Sequence, residues 1–141
     1  VFKNPNDNRS DYYTSYLAVV GPNTVLGKSM RTTGGAMAGG FGGGSNPPAK
    51  PESSAGVKLS DITDGTSNTI AIVEARREIP WTKPEDIPFD GEKLPELGGF
   101  YAGGFNVALC DGSARFLPNQ LDPKTLKYLF LINDGNLVEF P

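Results

Sequence analysis

The segment formed by residues 31–54 limits the possible folds of this chain more than any other feature. It contains the run GGAMAGGFGGGSNPPAKPESS, in which glycine gives the backbone maximal entropy and proline prevents a continuous strand or helix. A phosphate-binding glycine loop would continue into Lys-Ser or Lys-Thr, whereas Asn46-Pro47-Pro48 follows here. We therefore expect a long surface loop within the domain.

The composition favours a single soluble domain over residues 1–141. Glycine and proline occur 18 and 12 times, which predicts short strands and helices joined by long irregular loops. The net charge of −3 provides no basic surface, so we expect no nucleic-acid partner. No apolar run approaches the roughly 20 residues of a membrane span.

The absence of histidine from the sequence excludes several kinds of chemistry. Ser-His-Asp and Cys-His catalysis need this residue, and so do zinc sites with histidine ligands. A carboxylate pair such as Glu74 and Asp111 remains available as acid and base, but nothing in the spacing singles it out. The sequence predicts that the protein is not an enzyme and has neither a cofactor nor a metal site.

Two stretches have the pattern of strands. Residues 15–20 (SYLAVV) predict one strand, and residues 69–75 (TIAIVEA) predict another. In the second stretch, alternation places Ile70, Ile72 and Glu74 on one face. Both faces are largely apolar, which is typical of a central strand, and Glu74 is the polar exception.

The stretch after the second strand is predicted to be irregular. Residues 80–98 (PWTKPEDIPFDGEKLPELG) contain four prolines, so we expect them to cross the surface without strand pairing. Trp81, Ile87, Phe89 and Leu94 are the apolar side chains expected to anchor this segment to the core.

The C-terminal part of the sequence predicts a helix. Asp122 is a suitable N-cap and Pro123 a suitable first residue. Helical spacing predicts a buried stripe formed by Leu126, Leu129 and Phe130. We expect Gly135 to end the helix and residues 136–140 to form a last strand.

The stretch FNVALCDGSARFLPN predicts a β-hairpin. With Asp111-Gly112 as a two-residue type I′ turn, Val107 faces Phe116, and one face of the hairpin is wholly apolar. Asp111 is expected to accept hydrogen bonds at its own turn. Cys110 has no adjacent lysine or histidine to lower its pKa, so we interpret it as a packed side chain.

Four stretches in this order resemble one bacterial family: ITDGTSNTIAIVEA, PWTKPEDIPFD, GGFNVALCDGSARFL and LDPKTLKYLFLINDG. They are similar to pilin-like proteins with a prepilin-type, processing-associated C-terminal domain, once labelled solute-binding-protein-like and of unknown function. Its hallmark is a His, nine residues and then Asp-Gly. Here Asp111 and Gly112 are present, but Tyr101 occupies the histidine position. We favour a structural role for this motif.

The resemblance implies an α+β fold: a pilin-like antiparallel sheet with long irregular loops and a C-terminal helix. It also implies that the chain lacks the hydrophobic N-terminal helix on which such a sheet leans, and the start at Val1 agrees with that expectation. The implied protein is a non-catalytic, pseudopilin-like structural component of the cell surface or of type II secretion. Its partners would be other pilin-like subunits or secretion components. It would be extracytoplasmic and anchored in the inner membrane only through that helix.

The main alternative is an extracytoplasmic binding module for a glycan or peptide. Trp81, Phe100 and Tyr101 would supply stacking surfaces, and Glu85 with Asp86 would supply polar edges. The simpler interpretation is that Trp81 and Phe100 are core anchors.

A calcium site is a second alternative. Asp61, Asp64, Thr66 and Asn68 place four oxygen-bearing side chains within eight residues. The spacing of an EF-hand is absent, and these residue types also begin turns by binding their own backbone. We favour the turn interpretation.

Overall fold

The computed structural model describes residues 3–9, 12–27, 57–136, 138 and 140. Within these residues the strands are β1 (Tyr13–Val20), β2 (Ile70–Pro80), β3 (Ile87–Pro88), β4 (Gly104–Leu109) and β5 (Ala114–Pro118), and the helix is α1 (Pro123–Phe130). Single turns of 3-10 helix at Leu59–Asp61 and Thr66–Asn68 precede β2. The loop predicted at residues 31–54 lies outside the described residues.

The strands form one sheet in the order β3-β1-β2-β4-β5, so β2 is a central strand, as its apolar faces predict. Neighbouring strands are antiparallel except β1 and β3, which are parallel. The predicted antiparallel pairing is present between β1, β2, β4 and β5, but the short strand β3 makes the sheet mixed. With one helix packed against the sheet, the described part of the chain has an α+β fold.

The inner face of the sheet packs against α1 and forms the core. Leu17, Val73 and Val107 lie side by side on β1, β2 and β4, and all three are buried. Phe130 of α1 belongs to the same cluster, and its ring centre lies 5.5 Å from that of Phe89. Burial of each large apolar side chain contributes about 1.5–3 kcal/mol to stability.

A bulge at the start of β2 separates two isoleucines that simple alternation places together. Ile70 pairs with Leu109, but Ile72 pairs with Ala108, so β2 has one extra residue between these pairs. Ile70 is consequently 2% exposed in the core, whereas Ile72 is 41% exposed on the opposite face. The prediction that both isoleucines share a face is wrong for this reason.

The predicted hairpin is present, but its loop has three residues rather than two. The N–H of Leu109 donates to the carbonyl of Ser113 at 2.9 Å, and Val107 pairs with Arg115. The predicted pairing of Val107 with Phe116 is therefore wrong by one residue. Gly112 has φ +86°, and both the two-residue and the three-residue loop accept glycine in this conformation.

The one-residue shift changes which side chains of β5 reach the core. Leu117 faces Phe105 and is 1% exposed. Phe116 faces Asn106 on the other side of the sheet and is 50% exposed. The predicted wholly apolar face, which included Phe116, therefore does not form.

Residues 80–98 depart from the prediction in two ways. First, Ile87 and Pro88 form the strand β3, which pairs with β1, although no strand pairing was expected here. Proline is tolerated in this strand because β3 lies at the edge of the sheet, where some backbone N–H positions need no partner. Ile87 and Phe89 anchor the segment in the core and Leu94 packs against it, as predicted. Trp81, however, is 55% exposed and is not an anchor.

The helix begins as predicted and ends earlier. The side chain of Asp122 accepts a hydrogen bond from the N–H of Thr125 at 3.1 Å, and Pro123 is the first helical residue. The helix ends at Phe130, and Gly135 lies in a later turn with φ +77°. Residues 136, 138 and 140, which are described, are not in a strand, contrary to the prediction.

The outer face of the sheet, opposite α1, has an open end and a covered end. At the open end Ala18, Ile72, Ala108 and Ala114 lie side by side across four strands, and each is half-buried or exposed. At the covered end, residues 3–9 and 98–101 cross the sheet above Glu74.

We predict that Gly112→Val lowers the free energy of unfolding by about 1 kcal/mol or more, because a β-branched residue is strained at positive φ. A Cβ at Gly112 would meet nothing within 4 Å, so the effect reports backbone strain alone. Gly112→Asn is the control and should cost less, since asparagine tolerates this conformation. Urea denaturation measures both; equal stability of the valine variant and the wild type would contradict the prediction.

Candidate functional site

A buried carboxylate lies at the covered end of the outer face. Glu74 is 0% exposed, and its two oxygens accept four hydrogen bonds. Oε1 accepts from the side-chain amide of Asn4 and, at 3.1 Å, from the N–H of Phe100. Oε2 accepts from the backbone N–H and the side-chain amide of Asn106, both at 2.9 Å. We call these four residues the Glu74 cluster.

The backbone around the Glu74 cluster is closely packed. A Cβ at Gly99 would lie 2.5 Å from the carbonyl oxygen of Gly104 and 2.9 Å from Oε2 of Glu74, so only glycine allows this approach. The carboxylate is thus enclosed, and its oxygens are engaged by internal donors. Such an arrangement holds separate chain segments together and leaves no access for a substrate.

A second buried carboxylate fastens residues 3–9 to the sheet. Asp7 forms a salt bridge with Arg9 at 2.6 Å and accepts a hydrogen bond from the hydroxyl of Ser15 at 2.9 Å. Hydrogen bonds from Arg9 hold the pKa of Asp7 well below its usual range. The guanidinium groups of Arg9 and Arg76 lie 5.0 and 5.3 Å from the ring centre of Phe100. Phe100 therefore joins the N-terminal segment to β2 through two cation–π contacts.

The structure places Tyr101 and Asp111 in different surroundings. The rings of Tyr101 and of Phe116 in β5 form a T-shaped pair, with ring centres 6.5 Å apart. Asp111 is exposed at the hairpin tip and accepts hydrogen bonds from the N–H and the hydroxyl of Ser113 at 2.8 and 2.7 Å. The hydroxyl bond, followed by the backbone bond, lowers the pKa of Asp111. The turn bonds predicted for Asp111 are present, and Gly112 supplies the positive φ of the same loop.

The hairpin tip is bound to the turn before β2. The N–H groups of Cys110 and Asp111 donate to the carbonyls of Thr69 and Thr66 at 2.9 and 3.1 Å. Cys110 is half-buried, and burial, with a smaller effect of Asp111, raises the pKa of its thiol to about 11. At neutral pH the side chain is therefore a protonated thiol and a poor nucleophile.

The residues proposed as a binding platform have separate partners. Trp81 follows β2; its backbone N–H donates to the carbonyl of Tyr12 at 2.9 Å, and its side chain is exposed. Glu85 forms an ion pair with Lys83. Burial raises the pKa of Asp86. Phe100 contacts the two guanidinium groups described above, so its ring is already engaged.

The carboxylates considered for calcium bind backbone amides. Asp64 accepts from the N–H groups of Asp134 and Gly135 at 2.7 and 3.0 Å, which fixes the chain after α1. Asp61 accepts from the N–H of Lys58 at 3.0 Å. In the described part of the chain, no group of three or more acidic or cysteine side chains is arranged to hold a metal ion.

A groove of about 540 Å³ runs between residues 94–103 and the start of α1. Its apolar walls are formed by Leu94, Leu97, Leu121 and Leu126, and Arg76, Tyr101 and Asn119 supply its polar side chains. No local sequence pattern marks this groove, because its walls come from parts of the chain that only the fold brings together.

The partners of Glu74 were also missed. Asn4 and Asn106 lie 70 and 32 residues from it in the sequence. The signal that could have found this cluster is the glutamate itself, because a charged residue on a central strand needs buried donors.

Among the described residues, no helix has the length and apolar character needed to cross a membrane. Comparison with protein-family models, with curated proteins and with solved structures gives no match for this chain.

Proposed function

We propose that this protein is a non-catalytic structural subunit of the pilin-like or pseudopilin-like type. The observation that carries the proposal is the open end of the outer face. Ala18, Ile72, Ala108 and Ala114 form an apolar row across four of the five strands, where a soluble domain would be expected to present polar side chains. A surface of small apolar residues suits the close approach of a helix.

In the proposed subunit, the occupant of this face is a hydrophobic N-terminal helix of the pilin type. Residues 3–9 already run over the covered end, fastened by Asn4 and Asp7. A helix placed over Ile72 and Ala108 would therefore extend a packing layer that begins at the Glu74 cluster.

The use of buried carboxylates supports a structural role. Glu74 and Asp64 direct their oxygens to internal donors in distant parts of the chain, and Asp7 directs its oxygens to Arg9 and Ser15. A general base needs an accessible path for a proton, whereas these three carboxylates are buried and bonded to internal donors. The proposed partners are other pilin-like subunits or secretion components, and the proposed location is extracytoplasmic with an inner-membrane anchor.

We predict that the open end is covered in the assembled protein, and cysteine labelling tests this. On a Cys110→Ser background, Ile72→Cys probes the outer face, and Glu92→Cys, at an exposed loop position, is the matched control. Both variants should react readily with a membrane-impermeant maleimide in the purified 141-residue chain. In the complete gene product in its host, Glu92→Cys should still react from the extracytoplasmic side, whereas Ile72→Cys should react much more slowly.

Equal labelling of both positions in the host would refute packing on the outer face. Labelling of neither position from the extracytoplasmic side would refute the proposed location.

A further inference from the structure

Among the described residues, the groove beside α1 has a single charged side chain in its lining. This side chain belongs to Arg76. Its Nε donates to the carbonyl of Gly99 at 2.6 Å, and its guanidinium lies over Phe100 at 5.3 Å. These two contacts fix the orientation of the side chain. The Nη groups find no acceptor in the described part of the chain, so they are available to a carboxylate, which a guanidinium binds in bidentate geometry.

The remaining lining combines apolar walls with polar groups at the rim. Leu97 and Leu126 contribute apolar side chains to the lining, together with the buried Phe105. Tyr101 and Asn119 are both exposed at the rim. Gly98 and Ala102 border the groove, and neither backbone N–H is hydrogen-bonded within the described residues. Peptide amides and apolar side chains would both find partners in such a lining.

We propose that this groove binds an extended peptide segment that carries apolar side chains and a carboxylate, with the carboxylate on Arg76. Its volume of about 540 Å³ lies within the roughly 300–1,000 Å³ range of ligand pockets. Although the chain has a net charge of −3, the positive charge of Arg76 makes the groove attractive to an anionic group. The polar rim favours a peptide over an acyl chain, because only a peptide offers amide groups that can bond with Asn119 and with the backbone N–H groups of Gly98 and Ala102.

The test uses three fluorescein-labelled pentapeptides in anisotropy titrations against the 141-residue chain. The first has the sequence Gly-Ser-Val-Leu-Leu with a free C-terminal carboxylate, and the second is its C-terminal amide. The third is an amide with glutamate in place of the last leucine, which separates a side-chain carboxylate from a chain terminus. We expect at least one carboxylate peptide to bind about tenfold more tightly than the plain amide, the effect of one charge-assisted hydrogen-bonded pair.

Two pairs of variants locate the binding. Arg76→Gln should remove the preference for a carboxylate, whereas Arg77→Gln, which makes the same charge change beside a different groove, should retain it. Because Arg76→Gln also removes the bond to Gly99, Ala102→Glu provides an independent test at an exposed lining position. Ala102→Glu should repel the carboxylate peptide, and Ala102→Gln, of similar size, should bind it more tightly than the glutamate variant.

Three outcomes would overturn the proposal. The first is that no peptide binds, or that acid and amide forms bind equally. The second is that Arg77→Gln or Ala102→Gln weakens binding as much as its partner variant. The third is that dodecanoate displaces the probe more effectively than the unlabelled acid peptide does, which would assign the groove to acyl chains.

Discussion

Replacement of Glu74 by alanine is expected to lower the free energy of unfolding by at least about 3 kcal/mol. The carboxylate is 0% exposed, and alanine leaves the side-chain amides of Asn4 and Asn106 and the backbone N–H groups of Phe100 and Asn106 without their acceptor. Each buried donor that loses its partner costs about 1–3 kcal/mol. Relaxation that admits water reduces the sum, so the expected value is well below the arithmetic total.

Two further variants identify the cause of the loss. Glu74→Gln keeps the shape but turns an amide NH₂ toward N–H donors, so its stability should lie between wild type and Glu74→Ala. Glu78→Ala removes an exposed glutamate from the same strand and should change stability by no more than about 0.5 kcal/mol. Urea denaturation at neutral pH measures all three. Similar losses for positions 74 and 78 would show that the buried hydrogen bonds are not what stabilises the fold.

Phe130→Ala should destabilise the protein by about 3–5 kcal/mol, the range for truncation of a buried phenylalanine. Phe130 is 0% exposed, and its ring contacts Phe89, which follows the edge strand β3. Its removal would leave a cavity between α1 and the sheet. The change should appear both as a lower urea midpoint and as a lower melting temperature.

Phe116→Ala is the matched control for Phe130→Ala. The same ring at position 116 is 50% exposed, and its aromatic contact is a T-shaped pair with Tyr101. We expect a loss on the order of 1 kcal/mol, because little buried area disappears. A loss as large as that of Phe130→Ala would mean that the outer face is packed in solution and that the core is not confined to the inner face.

Local patterns were sufficient to predict much of the fold. The strand-forming residues in 15–20 and 69–75 mark β1 and the first part of β2, and the cap at Asp122 marks the start of α1, where its side chain bonds Thr125. Each of these patterns depends only on residues that are close together in the sequence, so it can be recognised without knowledge of the tertiary structure. The end of the helix at Phe130 was not predicted. The residues that follow the helix bond to Asp64, which is distant in the sequence, and this tertiary contact determines where the chain turns.

The hairpin shows why register is harder to predict than the presence of strands. Asp111-Gly112 fits a two-residue and a three-residue loop equally well, and alternation permits either. The longer loop allows Leu117 to enter the core opposite Phe105 and lets Cys110 bond Thr69. Both contacts are tertiary, so the local sequence does not reveal them.

Of the residues in the candidate site, only the central one, Glu74, could be predicted from the sequence. Glu74 is conspicuous as a charge on an apolar strand, but its donors Asn4 and Asn106 have no local pattern that marks them. Arg76 gave no signal either, since an arginine on a strand is ordinarily a solvated side chain. Its orientation depends on Gly99 and Phe100, which reach it through the fold.

The Glu74 cluster has a consequence for how the molecule opens. One side chain holds the N-terminal segment at Asn4, the crossing segment at Phe100 and the strand β4 at Asn106. If any one of these three segments separates from β2, Glu74 loses a hydrogen-bond donor and the segment loses its acceptor. Because this loss is costly for buried groups, the opening motions of the three segments are coupled. The covered end of the sheet therefore behaves as one cooperative unit, assembled from three regions of the chain.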